Sequence, residues 1–457
     1  MFLNKRPYYL ILIAFFIFVA YSCDNDSDDT VPEPEFKGEV DWIKTFGGSD
    51  EDEAIAIVQA NDKGYMVLGF TRSMDGDISG KTTTDQDYWL LKLTENGEKV
   101  WDKTYGGSQD DKATGIAKTS DGGFIISGYT ASDDGDVSEN AGFHDYWIVK
   151  INASGDIQWE KSFGFIGQDQ AFQIIETSDG GYFATGYLDV LASEGEGNDF
   201  SNSSVNTNRA SLHSLGDYWG IKMDANGNKI WRRYFGGNHV DQGKDVLQTP
   251  DGGFLLIGVS ESSDFDISDA RGANDFWVIK ISADGDKIWE KSFGGSESDF
   301  AFSVENTSDG NFIIVGDTRS SDKDISVSLG NADIWAVKFN STNGALIWEK
   351  SYGGSDFDSA RGINLLENGK YIITGSSRSE DIDVSANNGS NDAWVFIFDG
   401  DGVLDFEQNI GGSNIDFAIQ AIETTKNELV IVGYSSSNDK DIPTNKGNND
   451  LLIFKIK

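Results

Sequence analysis

Six times in this sequence two aspartates stand one residue apart, and a third follows nine or ten residues later. The sets are Asp75, Asp77 and Asp87; Asp134, Asp136 and Asp145; Asp264, Asp266 and Asp275; Asp322, Asp324 and Asp333; Asp381, Asp383 and Asp392; and Asp439, Asp441 and Asp450. Hard carboxylate oxygens gathered in one loop are the chemistry of a calcium site, which takes about six to eight oxygen ligands. Each pair is followed by Ile or Val, as in Ile78 and Val137, so the loops are not EF-hands. Asp also caps turns, because its short side chain accepts bonds from nearby amides. Ca2+ binding and turn capping therefore both stand as roles for these eighteen residues.

Three histidines, His144, His213 and His239, fall in loops of consecutive repeats and are further ligand candidates. No catalytic set accompanies them. No histidine has a recurring Ser or carboxylate partner, and there is no Gly-x-Ser-x-Gly elbow. No cofactor-binding motif is present, and paired carboxylates are too abundant for spacing to single out an acid and a base.

A further aspartate recurs in every unit: Asp52, Asp111, Asp169, Asp241, Asp299, Asp358 and Asp416. It stands four residues beyond the second position of a Gly-Gly pair that occurs in six of seven units; the third unit reads Phe163-Gly164-Phe165. Two residues on comes a small side chain, Ala54, Ala113, Ala171, Gly243, Ala301, Ala360 or Ala418. An acid repeated at every position of a ring signals structure rather than a ligand. It is expected to brace the preceding Gly-Gly amides.

The elements that must position these residues repeat as well. Trp42, Trp101, Trp159, Trp231, Trp289, Trp348 and Phe406 open the same phrase at spacings of 59, 58, 72, 58, 59 and 58 residues. Each unit holds four short apolar runs bounded by Gly, Asn and Asp, and none has helical period. In the fourth unit the spacing predicts strands at Gly243–Thr249, Phe254–Ser260, Asp275–Ile281 and Lys287–Phe293. Four strands in each of seven units predict an all-β fold, a seven-bladed β-propeller over residues 40–457. Val40–Phe46 is an outermost strand without its own unit, and the last unit stops after its third strand, so the first is expected to complete the last blade. All twelve Trp fall at two repeat positions and read as packing between blades. The 72-residue third unit places its extra length in the loop from Leu188 to Gly216.

Lys and Arg number 36 against 76 Asp and Glu, a net charge of −40. Such a surface repels phosphate backbones and attracts cations, which argues against a nucleic acid partner. Residues 1–22 form a basic start, an apolar run from Tyr8 to Ala20 and a small residue before Cys23, the single cysteine. This is the layout of a signal peptide ending at a lipidated Cys, and its removal leaves 34 basic against 76 acidic residues, or −42. Acyl chains on Cys23, of the palmitate type, contribute ~0.8 kcal/mol per buried methylene and would hold the chain on a membrane. Residues 23–39 read as an acidic tether.

Three resemblances follow from these residues. The units resemble the bacterial seven-bladed β-propeller repeat family. The turns "LTENGEKVW", "INASGDIQW" and "ISADGDKIW" resemble the tryptophan-docking motif of quinoprotein-dehydrogenase propellers, without the quinone-binding chemistry. Ala20-Tyr21-Ser22-Cys23 resembles a lipobox, with Ala at the usual Leu position and Tyr at the next, and the acids behind it resemble the surface-export signal of Bacteroidetes outer-membrane lipoproteins. Together they imply an outer-membrane, lipid-anchored, surface-exposed propeller. Its expected role is a binding or scaffold module acting through an acidic loop face on an extracellular glycan, a cation or a partner protein. The alternatives are a polysaccharide lyase or glycosidase with its site in the loops of blades two to four, and a purely structural surface protein.

Overall fold

In the computed structural model, which describes residues 36–199, 213 and 215–457, every regular element is a β-strand. The signal segment 1–22, Cys23 and the tether up to residue 35 lie outside the described residues, as do 200–212 and 214 of the third-unit loop.

The strands assemble as seven four-stranded antiparallel sheets arranged as blades. Blade one contains Asp52–Gln59, Tyr65–Thr71, Asp87–Leu93 and Lys99–Tyr105, running from the axis outward. Blades two to six repeat this plan from Asp111, Gln170, Asp241, Asp299 and Asp358. Blade seven takes Asp416–Glu423, Leu429–Ser435 and Asp450–Ile456, and the N-terminal strand Val40–Phe46 supplies its outer edge. Trp42 pairs with Lys455 and Phe46 with Leu451, so the ring closes by strand pairing and the Asp450–Ile456 strand has no open edge. In the fourth unit three predicted strands match the observed bounds, while the inner strand starts earlier, at Asp241, because that residue pairs with Ser260.

The core lies between blades rather than within them. One cluster joins Leu68, Tyr88 and Leu90 of blade one to Ile126, Trp147 and Val149 of blade two, and each other cluster likewise spans two adjacent blades. Second and third strands have neighbours on both faces, which is why they read as continuous apolar runs. The third-strand tryptophans, Trp89, Trp147, Trp219, Trp277, Trp335 and Trp394, are fully buried. Tyr88 packs 4.6 Å from Trp147 of the next blade and donates its hydroxyl to that residue's carbonyl at 3.1 Å. The outer-strand rings dock forward too: a Cβ on Gly97, at φ +72°, would lie 2.8 Å from Trp42. The turn resembling a tryptophan-docking motif therefore does receive a tryptophan.

Candidate functional site: the crossover loops and the central channel

The chain passes from the outer strand of one blade to the inner strand of the next through a Gly-Gly crossover. At the blade seven to blade one boundary, four consecutive amides of this crossover are held by side chains. Gly47 donates to Asp77 Oδ2 at 3.0 Å, Gly48 to Asp52 Oδ2 at 2.7 Å, Ser49 to Asp75 Oδ1 at 2.7 Å and Asp50 to Ser73 Oγ at 2.9 Å. The same four bonds recur on residues 106–109, 236–239 and 294–297. They recur again on 353–356 and 411–414. Both members of each Asp-x-Asp pair are thus amide acceptors, and the repeated aspartate is the brace expected of it. These bonds also place the crossovers and the second-to-third strand loops on one face of the disc. The brace takes two hydroxyls besides: Ser73 Oγ donates to Asp52 at 2.8 Å, and Thr71 donates to its other oxygen. That Thr/Ser-x-Ser contribution was not recognised in the sequence, where hydroxyl residues are common in turns.

The third aspartate of each set opens the third strand. Asp145, Asp275, Asp333, Asp392 and Asp450 accept from the amide four residues earlier, at 2.5 to 3.0 Å. In blade one the partner of Asp87 is Lys81 Nζ, 2.5 Å away. In Asp87, Asp145, Asp275, Asp333, Asp392 and Asp450 the Oδ1 atom is buried with no hydrogen-bonding partner. Asp87 Oδ1 and Asp111 Oδ2 crowd the same point beside Gly106, where an added Cβ would collide with both. Burial raises Asp145, Asp275, Asp333, Asp392 and Asp450 to about 6 and, against the pull of Lys81, Asp87 to about 7. Among the described residues no three His, Cys, Asp or Glu side chains gather as a metal-ligand set.

The histidines share no partner with one another among the described residues. His144 Nδ1 lies 3.3 Å from Gln170, its ring packs on Tyr129 and Phe143, and burial lowers its pKa. His213 is buried, with Nδ1 2.5 Å from Asp217 Oδ2 and its ring against Tyr234 and Phe265. It stands where other blades use a backbone amide four residues before the third aspartate. His239 is exposed, and its backbone amide takes the Ser262 bond of the crossover.

One boundary departs from the rule. Between blades two and three Phe165 replaces the second glycine, and Leu188-Asp189-Val190 replaces the hydroxyl motif. Asp169 accepts from the Phe165 amide at 2.7 Å and the Asp189 amide at 2.9 Å. Burial outweighs those two bonds and pushes it to about 8. Phe143, Ile166 and Leu191 project here at 61%, 74% and 62% exposure. The Phe143 amide bonds to Gly167 O at 2.9 Å, and a Cβ on Gly167 would lie 2.6 Å from Ala192, so the three belong to one seam.

The axis carries a second departure from repetition. Every inner strand is bulged immediately after its small residue. The bulge faces a second-strand glycine such as Gly69 or Gly258, whose replacement would collide with the inner-strand backbone. Bulges re-aim side chains, and these present Ile55, Thr114, Phe172, Lys244, Phe302, Arg361 and Ile419 to a central cavity of about 280 Å³. No repeated residue marks this position in the sequence; its variation inside a strict repeat is the signal that finds it.

No protein-family model matches the sequence, and no curated protein matches it at a significant level. Among solved structures, a protein of unknown function from Bacteroides caccae is 12% identical over 77% of this chain and 97% of its own, with TM-score 0.41. The quinohemoprotein alcohol dehydrogenase from Comamonas testosteroni is 9% identical over 91% of this chain and 76% of its own, with TM-score 0.42. A europium-containing methanol dehydrogenase is 9% identical over 92% and 93%, with TM-score 0.43.

Proposed function

We propose that this chain is a lipid-anchored, surface-displayed binding module that docks a partner protein on its loop face at the boundary between blades two and three. The observation that carries this is the seam of Phe143, Ile166 and Leu191, exposed at the one boundary without the full amide clamp. Exposed apolar side chains grouped at one place mark interaction sites more often than scattered ones do. A chain of net charge −40 favours a partner with a basic surround. The anchor would be Cys23, joined to the propeller by the acidic tether.

The docking test compares the intact protein with Phe143→Ser, Ile166→Ser and Leu191→Ser combined, by crosslinking on whole cells. Loss of a discrete crosslinked complex with unchanged melting temperature supports the seam; an identical crosslinking pattern removes it. Anchoring is tested separately, since Cys23→Ser should shift the protein out of the membrane fraction. Retention there would refute the lipid anchor.

A further inference from the structure

The bulges that widen the seven inner strands turn seven side chains of five types toward the axis, and two of them are cations. Lys244 Nζ donates to Gln242 Oε1 at 2.8 Å and lies 4.0 Å from the centroid of Phe172. Among the described residues it forms no ion pair with a carboxylate. The Arg361 guanidinium lies 4.3 Å from the centroid of Phe302. Its Nη1 is 3.7 Å from Asp317, a buried acid already bound by Ser359 Oγ at 2.6 Å. Burial, and then the charge of Arg361, lower Lys244 to about 8.

Two positive groups that repel one another in a low-dielectric channel are costly unless an anion lies between them. Their setting limits which anion. Asp317 already offsets part of the Arg361 charge, so the pair matches a single negative charge better than a polyphosphate. Phe172 and Phe302 flank Lys244 in ring order, and Ile55 and Ile419 come from blades one and seven, on the opposite side of the axis. The apolar faces of these four side chains suit the face of a ring, and the two acids that also line the cavity are already engaged by backbone amides, Asp245 by those of Val246 and Val304 and Glu305 by those of Asn306 and Leu365. The cavity, about 280 Å³, falls just below the ~300–1,000 Å³ range of ligand pockets and is sized for one ring.

We propose that the central channel binds a small carboxylate carried on a single ring, with the carboxylate between Lys244 and Arg361 and the ring against Phe172 and Phe302. A cation would meet Lys244 and Arg361 there, and a neutral sugar leaves the Lys244 charge unanswered. The ring can be that of a sugar acid or of an aromatic acid, since both carry one carboxylate and offer a face to Phe172 and Phe302, the pyranose its C–H bonds and the aromatic acid its π surface. This site is separate from the proposed docking seam.

The test is calorimetric titration of the full chain with glucuronate, galacturonate, benzoate, acetate and uncharged glucose. At least one ring acid should bind with one-to-one stoichiometry while glucose does not, and the tighter acid identifies the ring. Lys244→Met should weaken that acid at least about tenfold, the loss expected when a hydrogen bond to a charged group disappears. Because Lys244 has no carboxylate to orphan, this variant should melt with the parent protein. Arg361→Lys keeps the charge and should retain binding, and the triple seam variant should bind as the parent does. Absence of binding by every ring acid overturns the proposal, as does undiminished affinity in Lys244→Met. Acetate binding as tightly as the ring acids would overturn the part played by the aromatic walls.

Discussion

The crossover from blade one to blade two and the one from blade two to blade three occupy equivalent places, yet they are built differently. At the first, Gly106 to Gln109 present four amides to three carboxylates and a serine hydroxyl. At the second, Phe165 stands for a glycine, Asp169 has two amide donors, and three apolar side chains project nearby. The dense acidic pattern is therefore a frame that holds backbone. The boundary where that frame is incomplete is also where Phe143, Ile166 and Leu191 project together, and at the axis the bulged residue is likewise the one that varies.

The most forceful way to break this contrast is to remove the brace at both boundaries. Asp111→Ala strands the Gly107 amide and the Thr130 and Ser132 hydroxyls, and should cost about 3 to 5 kcal/mol in urea unfolding. Asp169→Ala removes two amide bonds to a carboxyl already protonated near neutral pH, and should cost about 1 to 2 kcal/mol. Equal losses would mean that the two boundaries are energetically alike and that the hydroxyl motif contributes nothing.

A second contrast lies in the response to pH. A carboxyl whose folded pKa is raised stabilises the fold fully below its unfolded value, and that contribution is lost as pH rises through the folded value. Asp145, Asp275, Asp333, Asp392 and Asp450 at about 6, Asp87 and Asp241 at about 7 and Asp169 at about 8 place this loss between about pH 4 and pH 8. The melting temperature should therefore rise as pH is lowered from about 8 to about 5. Asp251, which the Lys280 ammonium and the Thr249 hydroxyl hold down at about 2, loses its contribution only in stronger acid. Asp169→Asn should flatten the upper end of the profile, while Asp145→Asn should act nearer its middle. Scanning calorimetry across this range decides it, and a melting temperature that climbs with pH would contradict the raised values.

Most of the frame was legible because it repeats. The spacing of Trp42, Trp101 and their successors gave the blade count, and Phe254–Ser260 was bounded correctly because turn residues flank an apolar run that is buried on both faces. The brace could be anticipated from its distance to the glycines. The aspartate pairs left calcium open beside the favoured reading of turn capping, since both need oxygens at the same spacing and only the positions of the amides distinguish them. His213 could not be assigned from spacing, because it replaces a backbone group. The channel stayed hidden for a similar reason: a bulge breaks the period-two alternation at Lys244 and Arg361, so alternation does not say which way they point.

A milder probe tests how closely the frame is packed. An alanine Cβ at Gly107 would sit 2.5 Å from both Asp134 Oδ1 and Ser132 Cβ, and overpacking of this kind costs ~1 to 3 kcal/mol. The equivalent site in the next crossover already carries Phe165, whose ring lies 6.0 Å from that of Trp219. Phe165→Ala should therefore destabilise by loss of contacts and not by crowding. If Gly107→Ala melts with the parent protein, the clamp is looser than the four bonds imply, and the special status of the third boundary weakens.

The smallest expected effect is that of calcium. If the Asp-x-Asp pairs held a cation, six boundaries would bind it and the boundary between blades two and three, which lacks the pair, would not. In each of the six, one oxygen of the pair already accepts the first crossover amide and another the third, as Asp77 and Asp75 do for Gly47 and Ser49. A cation would have to compete with those amides for ligands held on separate residues. A cation bound at about one hundred times its Kd adds ~2.7 kcal/mol of stability, which calorimetry resolves easily. We expect millimolar calcium and its chelation to leave the melting temperature unchanged in the parent protein and in Asp134→Asn alike. A shift in the parent that Asp134→Asn reduces would show that the frame binds metal. The comparison would then reverse, with the six regular crossovers as ligand sites and the irregular one as the exception.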